Sequence, residues 1–499
     1  GEIPAIIKII EQFPKSVDLV IALGYKGDQI KSVIDAFYPE RNKEYIYIDN
    51  FKGAKSGLGY TLIKSEPLLR CPFVFCSNDT IFNLKPRILN PIKTGNWISY
   101  YAKKDGDDLN LDNYRTISIK DDILTQVYQK GVSKRFVYTG LCGINEYEEF
   151  WDKQKKQNNY STGESFSLKL LKNVRAIELK HWWDTGNIQS INKLKDHFKT
   201  DHNILEKENE AIWFFKKRVI KFCTNKSFIS KRVQRAKSLR NIVPKLISNN
   251  KHTYSYTFEK GQVLSRLKSI YIFKELLMFC DSLLWKNNVK CIPSKAERNI
   301  IKLFYYDKTV ERIKSYLLRF EEHDIDNKIN NLPCRKAIDS VKKINWEYLT
   351  KTTILCNYHG DLHPENILRK NRSFIFLDWR QDFSEIKNNR GDMYYDLAKL
   401  YHGLLVSHQV VNAGDFSITK SPIGNFDIDI YQPQHNLKKI DYLKYWVISN
   451  QLDWKKVCII TSLIFLNIAA LHEPPYSFFL FNYGKLMLNK IIYQDDNTN

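Results

Sequence analysis

Asp361, Asn366 five residues later and Asp378 twelve residues after that stand among short apolar runs. The segments are His359-Gly-Asp-Leu-His-Pro-Glu-Asn-Ile-Leu368 and Phe374-Ile-Phe-Leu-Asp-Trp379. Phosphoryl transfer needs this inventory. One carboxylate orients or deprotonates the attacking hydroxyl, while an amide oxygen and a second carboxylate hold the Mg²⁺ that bridges the nucleotide phosphates. Asp361, Asn366 and Asp378 fit those three roles in order. Each piece alone also reads as an ordinary turn or strand end, so the joint spacing carries the assignment.

Regular elements must hold these groups. The apolar, β-branched run Thr352-Thr-Ile-Leu-Cys-Asn-Tyr358 predicts a strand delivering the loop 359–366. Ile367-Leu368 and Ser373-Phe-Ile-Phe-Leu377 predict a hairpin with Lys370-Asn-Arg372 at its turn. That hairpin returns Asp378 to the mouth of the loop beside Asn366, and Pro364 stiffens the loop. Upstream, Ala211-Ile-Trp-Phe-Phe215 and Arg218-Val-Ile-Lys-Phe222 predict two strands, Ser227 to Leu239 a helix, and Thr253-Tyr-Ser-Tyr-Thr-Phe258 an alternating strand. Helical patterns cover roughly 262–289, 295–322 and 335–348 before the loop, and 392–407 and 454–471 after it.

The residues His359 to Leu368 with Leu377-Asp378 resemble the catalytic and metal-binding loops of the aminoglycoside phosphotransferase and choline kinase family. The resemblance implies a protein-kinase-like α+β domain that phosphorylates small-molecule hydroxyls. It makes Asp361 the catalytic base, Asn366 and Asp378 Mg²⁺ ligands, and Asp396, in Gly391-Asp-Met-Tyr-Tyr-Asp-Leu-Ala398, a structural brace for the loop. His363 is either a substrate contact or a loop-packing residue. Lys221 is either the phosphate-binding lysine or a solvated one. No Gly-x-Gly-x-x-Gly precedes it, which departs from protein kinases. Glu259-Lys-Gly-Gln262 resembles the family's hinge.

The first two hundred residues have a different texture. Val17-Asp-Leu-Val-Ile-Ala-Leu23 predicts a buried strand ending at Gly24, followed by a helix over 28–37. Next come a strand at 45–48, a helix near 57–68 and the apolar run Pro72-Phe-Val-Phe-Cys76. Strands alternating with helices predict a Rossmann-like α/β domain with a mixed, mostly parallel sheet and active groups at strand ends. Asp79 falls at such an end.

Gly24-Tyr-Lys-Gly27, Ser56-Gly-Leu-Gly-Tyr-Thr-Leu62, Ser77-Asn-Asp-Thr80, Tyr138-Thr-Gly-Leu-Cys-Gly-Ile144 and Trp183-Asp-Thr-Gly186 follow one another in the order found in another family. They resemble the nucleotidyltransferases that make nucleotide sugars and CDP-alcohols, over about residues 1–195. The resemblance implies that Asp79 and Asp184 share a Mg²⁺ bound to nucleotide and phosphorylated substrate. Backbone near Ser56 and Gly57 approaches the base, and Glu164 lies where a substrate-binding acid can occur. That family opens with a glycine-rich phosphate loop, and this chain starts at a point beyond it, so the sequence is expected to lack its natural beginning.

The expected domains are 1–199 and 205–499, with the boundary near 196–209. The net charge of +22 suits anionic ligands, but the 77 Lys and Arg residues are scattered rather than held in one aromatic-laced block, so no nucleic-acid partner is expected. Nine cysteines without a Cys-x-x-Cys indicate neither zinc nor a disulfide framework and fit a reducing, cytoplasmic setting. Val457 to Leu471 is short for a membrane span and predicts a buried helix. The tail 494–499 is expected to fray.

Together these observations predict a bifunctional enzyme. It would phosphorylate a sugar, polyol or choline-like hydroxyl with ATP and Mg²⁺. It would then condense that phosphate with CTP or UTP to an NDP-sugar or CDP-alcohol for surface-glycan or capsule synthesis. Trp379, Tyr394, Tyr395 and Tyr401 are candidates for a quaternary-ammonium cage, or else core rings. The alternatives are a lone small-molecule or antibiotic kinase on an inert scaffold, and a non-catalytic nucleotide-sensing module.

Overall fold

The computed structural model describes residues 3–53, 56–105, 107, 109–156, 162–186, 190–192, 208–285, 291–387 and 389–493. The expected boundary at 196–209 and the tail 494–499 fall mostly or wholly outside them. The chain divides into two compact units, 1–226 with 247–255, and 227–246 with 256–499.

In the first unit the apolar run after Pro14 forms the strand Leu19–Leu23, which pairs in parallel with Lys43–Tyr47 across the helix Gly27–Phe37. The main sheet has six strands in the order Phe73–Cys76, Phe136–Ile144, Trp97–Ala102, Arg175–Glu178, Ile123–Val127, Thr116–Lys120. Here the expectation of a mostly parallel sheet is corrected. Trp97–Ala102 pairs in parallel with Arg175–Glu178, while the other pairings are antiparallel. One antiparallel pair is local, the hairpin of Thr116–Lys120 with Ile123–Val127 across Asp121-Asp122, both at positive φ; most of the others come from Phe136–Ile144 pairing with segments distant in sequence. Phe73, Phe150 and Trp151 pack as a ring cluster behind the sheet.

The strands Glu210–Phe215 and Arg218–Cys223 form an antiparallel hairpin, also in the first unit. Their inner face joins a core with Ile7, Ile34 and Phe37: the Phe37 ring lies 5.4 Å from Trp213 and 5.0 Å from Phe215. Arg218 donates from Nη2 to the Phe37 carbonyl at 2.7 Å. Thr253–Thr257 is a strand as expected, but its residues 253–256 are all buried rather than alternating, because both of its faces are covered.

The second unit is mainly helical. The pattern over 262–289 resolves into a short strand Gln262–Val263, a 3₁₀ turn, the helix Ile270–Phe279 and a π-helical stretch Cys280–Trp285. The pattern over 295–322 becomes Lys295–Lys302 and Lys308–Phe320 joined by a π turn, Leu303–Asp307. Two helices, Ala337–Lys343 and Trp346–Lys351, lead to a strand that is only Leu355–Asn357, paired antiparallel with Arg390–Asp392. Thr352 to Ile354 are not in the strand because the preceding helix runs to Lys351. The hairpin Ile367–Lys370 with Ser373–Phe376 forms in the expected register, Ile367 opposite Phe376, with Asn371 at φ +56 in its turn. Gln262–Val263 adds to it opposite Arg369 and Leu368. Trp454–Ala469 is a buried helix packed on Met393–Leu405 and Tyr476–Tyr493. Among the described residues no helix is long and apolar enough to cross a membrane.

Candidate active sites

Gly360 lets the loop of the second unit start its turn. It sits at φ +85, and a Cβ there would lie 2.5 Å from Arg380 Cβ and 2.7 Å from the Tyr358 ring. The left-handed region and the missing space both require glycine. Asp361 follows with its side chain 36% exposed. His363 accepts from the Glu365 amide at 3.3 Å and so caps the 3₁₀ turn Pro364–Asn366. That turn brings Asn366 back: its Nδ2 donates to the Asp361 carbonyl at 3.0 Å and to Asp361 Oδ2 at 3.2 Å. The amide nitrogen is thereby committed to the loop, and Oδ1 is the atom of Asn366 that could serve as a metal ligand. The Leu377 amide donates to the Asn366 carbonyl at 2.7 Å, so the hairpin sets Asp378 next to Asn366. Asp378 adopts φ +56, a backbone conformation that costs a non-glycine residue roughly 1–3 kcal/mol and clusters at functional sites.

Two further groups fix Asp361. Lys399 Nζ lies 2.9 Å from its Oδ1, and His363 Nε2 lies 3.8 Å from its Oδ2. Burial opposes the charge on Asp361, but Lys399 and its neighbours win and hold the carboxyl well below the usual range. Burial pushes His363 down to about 4, so the ring is neutral and packs the loop.

Asp396 is fully buried and accepts from the backbone amides of His359 and Gly360, both at 2.7 Å, and from Trp285 Nε1 at 3.1 Å. Burial raises its carboxyl to about 6, against the three donors that favour the charged form. Asp396→Asn places an amide NH₂ against one of these backbone donors. The expected cost is roughly 2–4 kcal/mol, read as a lower urea midpoint at unchanged m-value.

In the first unit, the strand Trp182–Asp184 pairs antiparallel with Thr80–Phe82, setting Asp184 opposite Thr80 and beside Asp79. A Cβ built on Gly186 would lie 3.0 Å from Asp184 Oδ1 and 3.3 Å from Asp79 Oδ2, so the two carboxylates face one small space. Tyr114 donates to Asp184 Oδ2 at 2.7 Å, and Ser77 donates to Asp79 Oδ1. The Thr185 amide closes the turn onto the Asp79 carbonyl at 2.8 Å. Ser56 donates to the Gly53 carbonyl at 2.7 Å, and Gly57 caps the helix Leu58–Ser65. Glu164 is 2% exposed; Oε1 accepts from Tyr138 at 2.5 Å and Oε2 has no partner among the described residues. Lys221 is half-buried on Arg218–Cys223, opposite Ile212.

Among the described residues no cluster of three His, Cys, Asp or Glu side chains could hold a metal ion. Each candidate site instead offers two protein oxygen donors: Asn366 with Asp378, and Asp79 with Asp184. That set fits Mg²⁺, which keeps several waters and takes one or two protein ligands plus substrate phosphates.

No protein-family model and no curated protein matches the chain. Solved structures similar to it fall into two groups, nucleotidyltransferases over the N-terminal part and kinases over a larger part. HddC from Yersinia pseudotuberculosis aligns at 16% identity and TM-score 0.31, over 40% of this chain and 92% of its own. Plasmodium vivax ethanolamine kinase aligns at 14% and 0.31, over 62% and 89%. A glucosamine kinase aligns at 12% and 0.31, over 55% and 74%.

Of the two readings of the four aromatic residues, cage or core, the structure shows core packing. Trp379 packs on Tyr256 and donates to the Arg232 carbonyl, Tyr394 lies under Lys456, Tyr395 packs on Phe304, and Tyr401 packs on Trp454. These are four separate core settings. Two site residues escaped the sequence reading. Lys399 could have been found, because it follows Asp396 by three positions on the helix Met393–Leu405 and so shares its face. Arg235 could not, since only the fold brings it to Asn357 Oδ1 at 3.2 Å and the Asn389 carbonyl at 2.6 Å, with its guanidinium 4.7 Å over Tyr358.

Proposed function

We propose that the second unit is a small-molecule kinase and the first a nucleotidyltransferase, acting in sequence on one metabolite. The observation that carries this reading is the hairpin register that sets Asp378 beside Asn366 and Asp361.

In the kinase step Asp361 accepts the proton of the acceptor hydroxyl as its oxygen bonds to the γ-phosphorus of ATP. The bond to the β–γ bridging oxygen breaks and its electron pair leaves on ADP. Lys399 keeps Asp361 ionised and oriented; Asp396 keeps the loop backbone in place. Mg²⁺, when bound, supplies charge neutralisation at the phosphates, with Asn366 and Asp378 as its protein ligands. In the second step an oxygen of the new phosphate attacks the α-phosphorus of an NTP, and pyrophosphate leaves. Asp79 and Asp184 would hold the Mg²⁺ that reduces repulsion between the two phosphates. The products are an NDP-sugar or CDP-alcohol, activated units suited to surface-glycan assembly. What supports the order is chemistry: the first product is the substrate class of the second reaction.

The test is a panel of hydroxyl compounds with ATP and Mg²⁺, scored for ADP, with CTP and UTP scored in parallel for pyrophosphate. ADP release with at least one acceptor, followed by pyrophosphate release from its phosphate, is expected. ADP release alone would leave the lone-kinase reading standing and remove the second activity.

A further inference from the structure

Three cationic side chains, Lys308, Arg380 and Lys399, act on Asp361 or its loop. Lys308, the first residue of the helix Lys308–Phe320, and Arg380, two residues past Asp378, converge on a single ring: Lys308 Nζ lies 4.9 Å and the Arg380 guanidinium carbon 5.0 Å from the centre of Phe304. Arg380 is held against the loop, its amide donating to the His359 carbonyl at 2.9 Å and its Cβ pressed on Gly360. Lys399 flanks the same carboxylate. Neither Lys308 nor Arg380 is in an ion pair within 4 Å of a carboxylate among the described residues; Arg380 Nε reaches only the Asp382 carbonyl, at 2.9 Å, and the Asp382 carboxylate is taken by Lys231 at 2.8 Å. Among the described residues the carboxylate paired to a cation of this group is Asp361, to Lys399.

We propose that the acceptor phosphorylated at Asp361 carries an anionic group, a carboxylate or phosphate, bound between Lys308 and Arg380. This rests on the kinase reading above and deepens it. Two half-buried cations with no ion pair of their own within 4 Å leave room for an added anion, and a guanidinium fork beside an ammonium suits carboxylate or phosphate oxygens. Burial, then Arg380, Lys399 and Arg312, push Lys308 down to about 7, with Asp361 opposing them, so an added anion would favour its charged form. The π turn Leu303–Asp307 that sets Lys308 and Phe304 is a rare conformation favoured at functional positions. A choline-like acceptor would bring its cation against Lys308 and Arg380, with no cage formed by Trp379, Tyr394, Tyr395 and Tyr401 to offset that repulsion.

Full-length protein with ATP and Mg²⁺ is given matched acceptors: glycerate and glycerol, glucuronate and glucose, glycerol 3-phosphate, and choline. The expected result is kcat/KM at least about tenfold higher for an anionic member than for its neutral partner, with no turnover of choline. Lys308→Met is expected to raise KM for that acceptor about tenfold with kcat and the KM of ATP within about twofold, and Lys308→Arg to restore it. Preference for a neutral or cationic acceptor overturns the proposal. So does a Lys308→Met effect on the KM of ATP instead, which would assign these cations to the nucleotide. Binding of Mg²⁺–ATP, abolished in Asp378→Ala, tests the kinase reading separately. If that binding is present and every anionic compound is refused, the anion site fails while the kinase stands; if that binding is absent, both fail.

Discussion

Asp361→Asn is expected to lower kcat for ATP-dependent phosphorylation by about 10²–10⁴-fold, with the KM of ATP little changed. The substitution keeps the shape of the side chain and its contact with Asn366, but removes the proton acceptor. It also leaves Lys399 Nζ, now 2.9 Å from a carboxylate, facing a neutral amide. Because Lys399 is only 12% exposed, some loss of stability accompanies the loss of rate, about 1–3 kcal/mol after allowance for the open side of Asp361. The two effects separate in a double-mutant cycle with Lys399→Met. Steady-state ADP release reports the rate and urea unfolding the stability. A variant that keeps kcat within threefold of the parent, by an order-of-magnitude criterion, removes Asp361 as base.

Asp79→Asn, and separately Asp184→Asn, are expected to cut pyrophosphate release by about 10²–10³-fold while ADP release by the second unit stays at the parent level. The basis is convergence: both carboxylates lie within about 3 Å of one point beside Gly186. Either change halves the anionic charge facing that point, and an amide is a far weaker partner for a divalent cation. Tyr114, which donates to Asp184 at 2.7 Å, has an acceptor left in either variant, so the turn should survive. Near-UV circular dichroism checks this. Equal pyrophosphate release from parent and Asp79→Asn would show that the pair serves structure only.

How much of this was legible in the sequence depended on range. The hairpin Ile367–Lys370 with Ser373–Phe376 was readable because β-branched and aromatic runs flank a polar turn, and its register then placed Asp378 without further information. The strand Leu19–Leu23 and the helix Gly27–Phe37 were readable for the same local reasons. Sheet direction was not. The alternation of strands and helices up to Cys76 suggested crossovers, but the antiparallel ladder of Phe136–Ile144 depends on pairings between segments far apart in sequence. Residue type left Trp379, Tyr394, Tyr395 and Tyr401 open between a cage and core rings, because type does not say which way a ring points on a helix or past a strand end. The cations around Asp361 were illegible for a related reason: in a chain with 77 Lys and Arg residues, Lys308, Arg380 and Lys399 stand out only once folding gathers them.

The shared core of Phe37, Tyr38, Trp213, Phe215 and Ile220 bears on how this protein can be taken apart. A fragment starting at residue 205 would carry the hairpin Glu210–Phe215 and Arg218–Cys223 without the helix Gly27–Phe37 that covers it. Trp213 and Phe215, now 6% and 5% exposed, would face water, along with the Arg218 guanidinium that holds the Phe37 carbonyl. Truncating one such buried aromatic to alanine costs roughly 3–5 kcal/mol, a large share of a domain's stability, and uncovering both rings is a loss of the same kind. The strands just past the expected boundary are built into the core of the unit before it, so a cut at residue 205 would leave two unfinished surfaces rather than two self-contained parts.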